Sequence, residues 1–214
     1  MTAPYYADDK VTLYLGDCRE VTAWLTADVL VTDPPYGRDW KQGNSRAVFG
    51  WRSNAHDGIA NDSDTAARDD VMKAWGDRPG VVFGDLLIAQ PAGARLVLIL
   101  DKPAPAGFTG AVAGYRRNIE GIYLTGSGWP SGLGGRSSVV TSTGKTAGNL
   151  ARTTGHPHTK PLDVMEQLID ACPPGVIADP FAGSGSTLVA ARNLGRRAVG
   201  VELDERYCET IARR

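Results

Sequence analysis

Residues 175–202 read GVIADPFAGSGSTLVAARNLGRRAVGVE. The short apolar run 175–178 reads as a buried strand. The next residues, Asp179-Pro180-Phe181-Ala182-Gly183-Ser184-Gly185-Ser186-Thr187, form a small-residue turn, and a helix follows through Leu194. Ala198–Val201 is a second apolar run ending at Glu202. A strand, a helix and a strand joined by short links make a parallel βαβ unit. The small side chains at 182–186 let a ligand approach the backbone closely. The turn opens a helix, whose free N–H groups and dipole favour negative charge. Glu202 stands 19 positions after Gly183, a spacing that suits the hydroxyls of a ribose. Together these features point to a nucleoside-containing cofactor, although the same spacing also serves a tight strand–helix turn with no ligand.

Two phosphate motifs are excluded. A P-loop needs Lys before its Ser/Thr, and Ser186 stands there. Gly144-Lys145-Thr146 lacks the upstream glycine, with Val139 in its place. The turn does not match GxGxxG. Asp179, at the end of the first strand, would repel a pyrophosphate and welcome an ammonium group.

Outward from this unit the alternation continues. Val11–Leu15, Val29–Thr32, Gly80–Phe83, Arg95–Leu100 and Ile119–Thr125 read as strands. Arg19–Leu25, Thr65–Trp75 with Asp64 near its cap, Pro161–Ala171 with proline at the first position, and Asp204–Ala212 read as helices. Residues 38–63 and 126–155 read as loops, the second rich in Gly, Ser and Thr. The expected fold is α/β: a Rossmann-like, mostly parallel sheet with helices on both faces.

The chain has 214 residues, 42% of them apolar and 22% charged. That suits one domain, 1–214, and excludes a disordered tail, a coiled coil or a collagen-like chain. Charge is unevenly spread. Residues 107–160 carry six Lys/Arg against one acid, in a protein of net charge −1. Such a segment favours polyanions, or is a solvated basic loop. Cys18, Cys172 and Cys208 are odd in number and widely spaced, which argues against disulfides and a zinc site and fits a reducing cytoplasm. No metal is expected. The start of the chain lacks the pattern of a signal peptide. The longest apolar region, 81–100, is broken by Asp85, Pro91 and Arg95, so no membrane span is expected.

The second chemical motif is Thr32-Asp33-Pro34-Pro35-Tyr36-Gly37. An exocyclic amino nitrogen is a poor nucleophile because its lone pair is delocalised into the ring. A carboxylate and a backbone carbonyl that accept its two protons hold it toward sp³ geometry. Asp33 can supply the first and the Pro34 carbonyl the second, kept rigid by two fixed φ angles. Tyr36 offers a face on which a flipped base can stack. A proline-rich turn without catalysis would look the same locally.

Asp-Pro-Pro-Tyr after an apolar strand, followed later by Asp-Pro-Phe-Ala-Gly-Ser-Gly-Ser-Thr, resembles the S-adenosylmethionine-dependent amino DNA methyltransferases, in their beta motif order. His156-Pro157-His158-Thr159-Lys160-Pro161 resembles that family's His-Pro-x-x-Lys-Pro element, and Leu15-Gly16-Asp17-Cys18 its acidic element beside the cofactor adenine. The resemblance implies the class I methyltransferase fold. It implies that Asp33, Pro34, Pro35 and Tyr36 hold the target base. It implies that Phe181, Ala182, Gly183, Ser184 and Gly185, with Thr187, wrap the cofactor, with Asp179 near its ammonium and Lys160 near its carboxylate. Glu202 would take the ribose hydroxyls, and Asp17 with Cys18 the adenine edge.

In the same family Asp at the first position of Asp-Pro-Pro-Tyr is usual for adenine N6, and Ser for cytosine N4. Asp33 therefore favours N6 of adenine in double-stranded DNA. Cytosine N4, RNA adenine and a catalytically silent DNA- or cofactor-binding module are the alternatives. The basic, Gly/Ser-rich segment 107–155 occupies the place of the target-recognition region, with Arg116, Arg117, Arg136, Lys145 and Arg152 as contacts. Trp129 reads either as a wedge or as packing under the loop. So short a region implies brief or relaxed recognition, with room for a homodimer to assist.

Overall fold

The computed structural model describes residues 3–39, 60–102, 111–132, 134–142, 154 and 159–214. Among the described residues nine strands form one sheet: β1 (Tyr6–Ala7), β2 (Val11–Leu15), β3 (Val29–Thr32), β4 (Gly80–Gly84), β5 (Ala94–Asp101), β6 (Ile119–Thr125), β7 (Val139–Thr141), β8 (Ile177–Asp179) and β9 (Ala198–Glu202). Their spatial order is β1-β2-β9-β8-β3-β4-β6-β5-β7. The run from β2 through β9, β8 and β3 to β4 is parallel, as is the β5–β7 pair. β1 joins β2, and β6 joins both β4 and β5, in antiparallel register.

The central strands read as unbroken apolar runs because both faces of the sheet are covered. All four residues of β3 and all five of β4 are buried. Successive side chains point to opposite faces. Val29, Val31, Val81, Phe83 and Ile177 share one core with helices α2 (Leu162–Asp170), α3 (Ser186–Asn193) and α4 (Glu205–Ala212). Leu30, Val82, Ala178 and Val201 share the other with α1 (Ala66–Trp75) and a short 3₁₀ turn, Ala23–Thr26. On that face Trp24 stacks on Trp75 with ring centroids 6.0 Å apart. The Arg78 guanidinium sits 3.5 Å from the Trp75 ring centroid and donates to the carbonyls of Leu25 and Ala27. The α/β architecture with helices on both faces is therefore as expected.

Three local expectations change. The helix expected over Arg19–Leu25 is instead a turn followed by Ala23–Thr26 as 3₁₀. The Trp24 indole N–H donates to the Cys18 carbonyl, and this buried anchor serves a tight turn better than a regular helix. Pro161 caps α2 from outside, with extended backbone, rather than occupying its first turn. Within the expected loop 126–155, Val139–Thr141 forms β7, because its backbone pairs with Ile99–Asp101. Three residues carry no readable period, so tertiary pairing alone defines this strand. Both β6 and β7 come from within 107–155. Residues 40–59, Lys145, Arg152 and His156–His158 lie outside the described residues.

Candidate active site

In an open α/β sheet, ligands bind beyond the carboxyl ends of the strands, where the strand order reverses direction. Here that point lies between β3 and β8: the chain leaves β3 for β4 on one side and leaves β8 for β9 on the other. Asp33 follows β3, Asp179 ends β8, Glu202 ends β9, and Asp17 follows β2. All four line one cavity of about 1340 Å³.

Thr32 and Asp179 tie the two motifs together. The Thr32 hydroxyl donates to Asp179 Oδ1 at 2.7 Å across adjacent strands, and both residues are buried. The Phe181 N–H donates to the same oxygen at 3.1 Å. Burial pushes the Asp179 carboxyl up to about 6; the Thr187 and Thr32 hydroxyls and the Phe181 N–H offset part of that rise.

Glu202 accepts the Gly183 N–H on Oε2 at 2.7 Å and the Asp204 N–H on Oε1 at 2.8 Å. It thereby fastens the glycine turn to the end of β9. Burial raises its carboxyl to about 7, against the pull of those two N–H groups. Gly185 caps α3 with φ +80°, and a Cβ there would lie 2.7 Å from Ile211. Phe181 to Ser184, Ser186 and Thr187 line the cavity. The turn is locked to the preceding segment by the Ser186 hydroxyl, which donates to the Lys160 carbonyl at 2.9 Å. Asp17 accepts from the backbone and guanidinium of Arg19, which lower its carboxyl despite burial. Cys18 lines the cavity beside it, with its thiol pushed up to about 12 by burial.

The proline motif is held at both ends. The Gly37 N–H donates to the buried Asp62 carboxylate at 2.9 Å, and a Cβ on Gly37 would lie 2.9 Å from the backbone of Asp64. The Tyr36 hydroxyl donates to Asp33 Oδ1 at 2.7 Å, and burial with that carboxylate raises the phenol well above its ordinary value. Asp33 Oδ2 lies 2.8 Å from the Lys160 ammonium. Pro34 and Pro35 line the cavity with them.

Lys160, which the resemblance puts near the cofactor carboxylate, lines the cavity and has its buried ammonium between Asp33 and Glu120, 3.2 Å from Glu120 Oε2. Glu120 was not singled out from sequence. Its Oε1 pairs with Lys102 at 2.8 Å. Burial alone would raise this carboxyl, but Lys160 and Lys102 outweigh it and hold the group down to about 2. A lone glutamate on a strand has no local signature, so only its burial beside two lysines marks it.

The basic residues divide. Arg116 and Arg117 line the rim of the cavity. Arg136 lies away from it, exposed and paired with Asp170 at 2.7 Å. Trp129 packs against the core and donates its indole N–H to the Thr125 carbonyl, so it is a packing residue rather than an exposed wedge. Cys18, Cys172 and Cys208 are free and buried. Among the described residues no cluster of three His, Cys, Asp or Glu could hold a metal ion, and no helix is long and apolar enough to cross a membrane.

Residues 135–213 match the N6_N4_Mtase family model, described as DNA methylase. The chain is 28% identical to YubD of Escherichia coli (strain K12), named as a methylase, over 212 residues covering 90% of this chain and 84% of that one. The fold is that of M1.HpyAVI, at TM-score 0.63 and 17% identity over 95% of this chain and 97% of that one; a second structure of that protein is a SAM complex. It is equally that of the cytosine-N4-specific PvuII DNA methyltransferase, at TM-score 0.64 and 17% identity over 99% and 88% of the two chains. The family model matches along the very segment that carries the glycine turn and Glu202, and the chain is built on the class I methyltransferase fold; in both it is similar to the amino DNA methyltransferases.

Proposed function

We propose that this protein transfers a methyl group from S-adenosylmethionine to N6 of adenine in double-stranded DNA. The observation that carries the reading is the Thr32–Asp179 hydrogen bond. It couples the strand end bearing Asp33 to the one bearing Asp179. A base held by the first and a cofactor held by the second would meet within adjacent-strand spacing, about 4.8 Å.

The residues suit the cofactor. The cavity is wider than the roughly 300–1,000 Å³ of an ordinary ligand pocket and has room for a cofactor and a flipped base. The donor set is acidic where a ribose and an ammonium need acceptors: Glu202 for the hydroxyls, Asp179 for the ammonium, and Asp17 with Cys18 at the adenine edge. Phe181, Ala182, Gly183, Ser184 and Thr187 form the wall, and Gly185 lets the chain turn into the helix behind it. When bound, the cofactor supplies an electrophilic methyl group on a sulfonium.

This chain's own residues do the rest. Asp33 and the Pro34 carbonyl accept the two amino protons of the base and aim its lone pair. Pro35 keeps the turn rigid, and Tyr36 presents its ring to the base while its hydroxyl steadies Asp33. Such positioning acts by preorganisation and needs no covalent enzyme intermediate. Arg116 and Arg117 stand where phosphates or base edges would pass. The segment 107–155, with Arg136, Lys145 and Arg152, serves as the target-recognition region of a single 1–214 domain. A role in restriction–modification, in the cytoplasm and with help from a second copy of the chain, follows from the same reading.

Cytosine N4 is the second reading, favoured by the likeness to the cytosine-N4-specific PvuII enzyme. Incubation with unmodified DNA, RNA and labelled cofactor, followed by mapping of methylated bases, separates these outcomes. Asp33→Ala is expected to bind cofactor normally and transfer no methyl; normal turnover in that variant refutes the assignment.

A further inference from the structure

Both oxygens of Asp33 have a partner in this structure. Oδ1 accepts the Tyr36 hydroxyl at 2.7 Å, and Oδ2 faces the Lys160 ammonium at 2.8 Å. Each oxygen keeps a second lone pair, but an amino proton arriving there competes with the partner already in place for the carboxylate's charge. Lys160 is the partner with somewhere else to go. Its ammonium is 3.2 Å from Glu120 Oε2, a buried oxygen that makes no hydrogen bond among the described residues. The other oxygen, Oε1, is already taken by Lys102.

We propose that Glu120 is a positioning residue that draws the Lys160 ammonium off Asp33 when the target base enters. The proposal rests on the methyltransferase reading and adds to it a residue outside every sequence motif. The physical argument is charge balance in a dry site. Releasing Asp33 would leave a buried lysine without a counter-ion, at several kcal/mol for an unpaired charge. Glu120 removes that cost because its Oε2 is already ion-paired with the ammonium at 3.2 Å and makes no hydrogen bond of its own among the described residues. The aromatic rings flanking the ammonium, Phe83 at 4.9 Å and Tyr36 at 5.6 Å from their centroids, permit a small shift without loss of cation–π contact. Lys102 on the far oxygen keeps the Glu120 side chain from swinging away. The three charges are brought together by the sheet: Glu120 pairs with Leu100 across β5–β6, next to Lys102, and β6 also lies on β4.

The test uses the full chain with unmodified duplex DNA and labelled S-adenosylmethionine. Glu120→Gln preserves volume and removes the charge. It is expected to lower kcat roughly 10- to 100-fold, the scale of a lost charge-assisted hydrogen bond. KM for DNA and the cofactor Kd are expected to stay near wild type; the unfolding midpoint is expected to fall, because Lys102 and Lys160 lose their buried counter-charge, so kcat is compared at a temperature where both proteins are fully folded. Glu120→Asp, which restores the charge, is expected to recover most of the lost rate. An active wild type whose Glu120→Gln variant keeps its kcat overturns this proposal alone. So does a loss of rate that follows weaker binding of DNA or cofactor, or that Glu120→Asp fails to rescue. A folded wild type that transfers no methyl group to any nucleic acid overturns the methyltransferase reading, and this proposal with it.

Discussion

The buried acids of the cofactor site give the cofactor-free protein a pH dependence opposite to that of its ligand. Asp179 and Glu202 titrate near 6 and 7, against ordinary values of 3.8 and 4.5. Both folded values are raised, so between the ordinary and the raised value the folded chain binds protons that the unfolded chain does not. The stability they contribute is fully present below about pH 4 and is lost as pH rises through 6 and 7. The gap is about two pH units for each group, on the order of 3 kcal/mol apiece at 1.36 kcal/mol per unit. For a chain of this length about 2–4 °C accompanies each kcal/mol, so each group moves the midpoint by roughly 6–12 °C. The carboxyls held below their ordinary values, among them Asp8, Asp17, Asp85, Asp204 and Glu120, lose their contribution only as pH falls below about 4.5. Calorimetry between pH 5 and 8 therefore reads Asp179 and Glu202. The cofactor-free wild type is expected to melt higher at pH 5 than at pH 8, and Glu202→Gln is expected to flatten that slope. If Asp179 takes the ammonium and Glu202 the ribose hydroxyls, as proposed, S-adenosylmethionine needs both groups ionised, and its affinity is expected to rise with pH across the same window. A wild-type midpoint that climbs from pH 5 to 8, or a slope that Glu202→Gln leaves unchanged, refutes the reasoning.

Three further outcomes follow from single contacts. Thr32→Val removes the hydroxyl that donates to Asp179 and should cost about 1–3 kcal/mol in urea unfolding, with weaker cofactor binding near neutral pH. Gly126→Ala forces a Cβ to 2.0 Å from the Arg78 carbonyl oxygen, at φ +69°, so a loss of at least about 3 kcal/mol is expected in thermal unfolding. Trp75→Ala removes the ring between Trp24 and Arg78 and should cost about 3–5 kcal/mol by chemical denaturation, with little effect on the cavity at the opposite edge of the core.

The sequence by itself determined most of what depends on local order, the turn before Ala23–Thr26, read as a helix, being an exception. The apolar runs marked β3, β4, β8 and β9 because burial on both faces writes itself as continuous hydrophobicity, whereas β2 was legible by its alternation and the largely exposed β5 by its strand-forming residues. The turn after β8, with Asp179, Gly183 and Gly185, was legible because close backbone approach demands small residues at fixed offsets. The Asp33–Tyr36 motif and Glu202 stood out by their positions at strand ends. Tertiary structure decided what depends on which strands lie side by side. Only the placement of β8 against β3 lets Thr32 bond to Asp179. Only the antiparallel return of β6 through the sheet brings Glu120 to Lys160, and with it sets Lys160 against Asp33. The three residues of β7 became a strand through β5, and Trp129 and Arg136 found partners at Thr125 and Asp170 rather than in the cavity. The physical reason is one of range: periodicity and turn chemistry act over a few residues, whereas a buried charge is defined by neighbours that the chain supplies from distant segments.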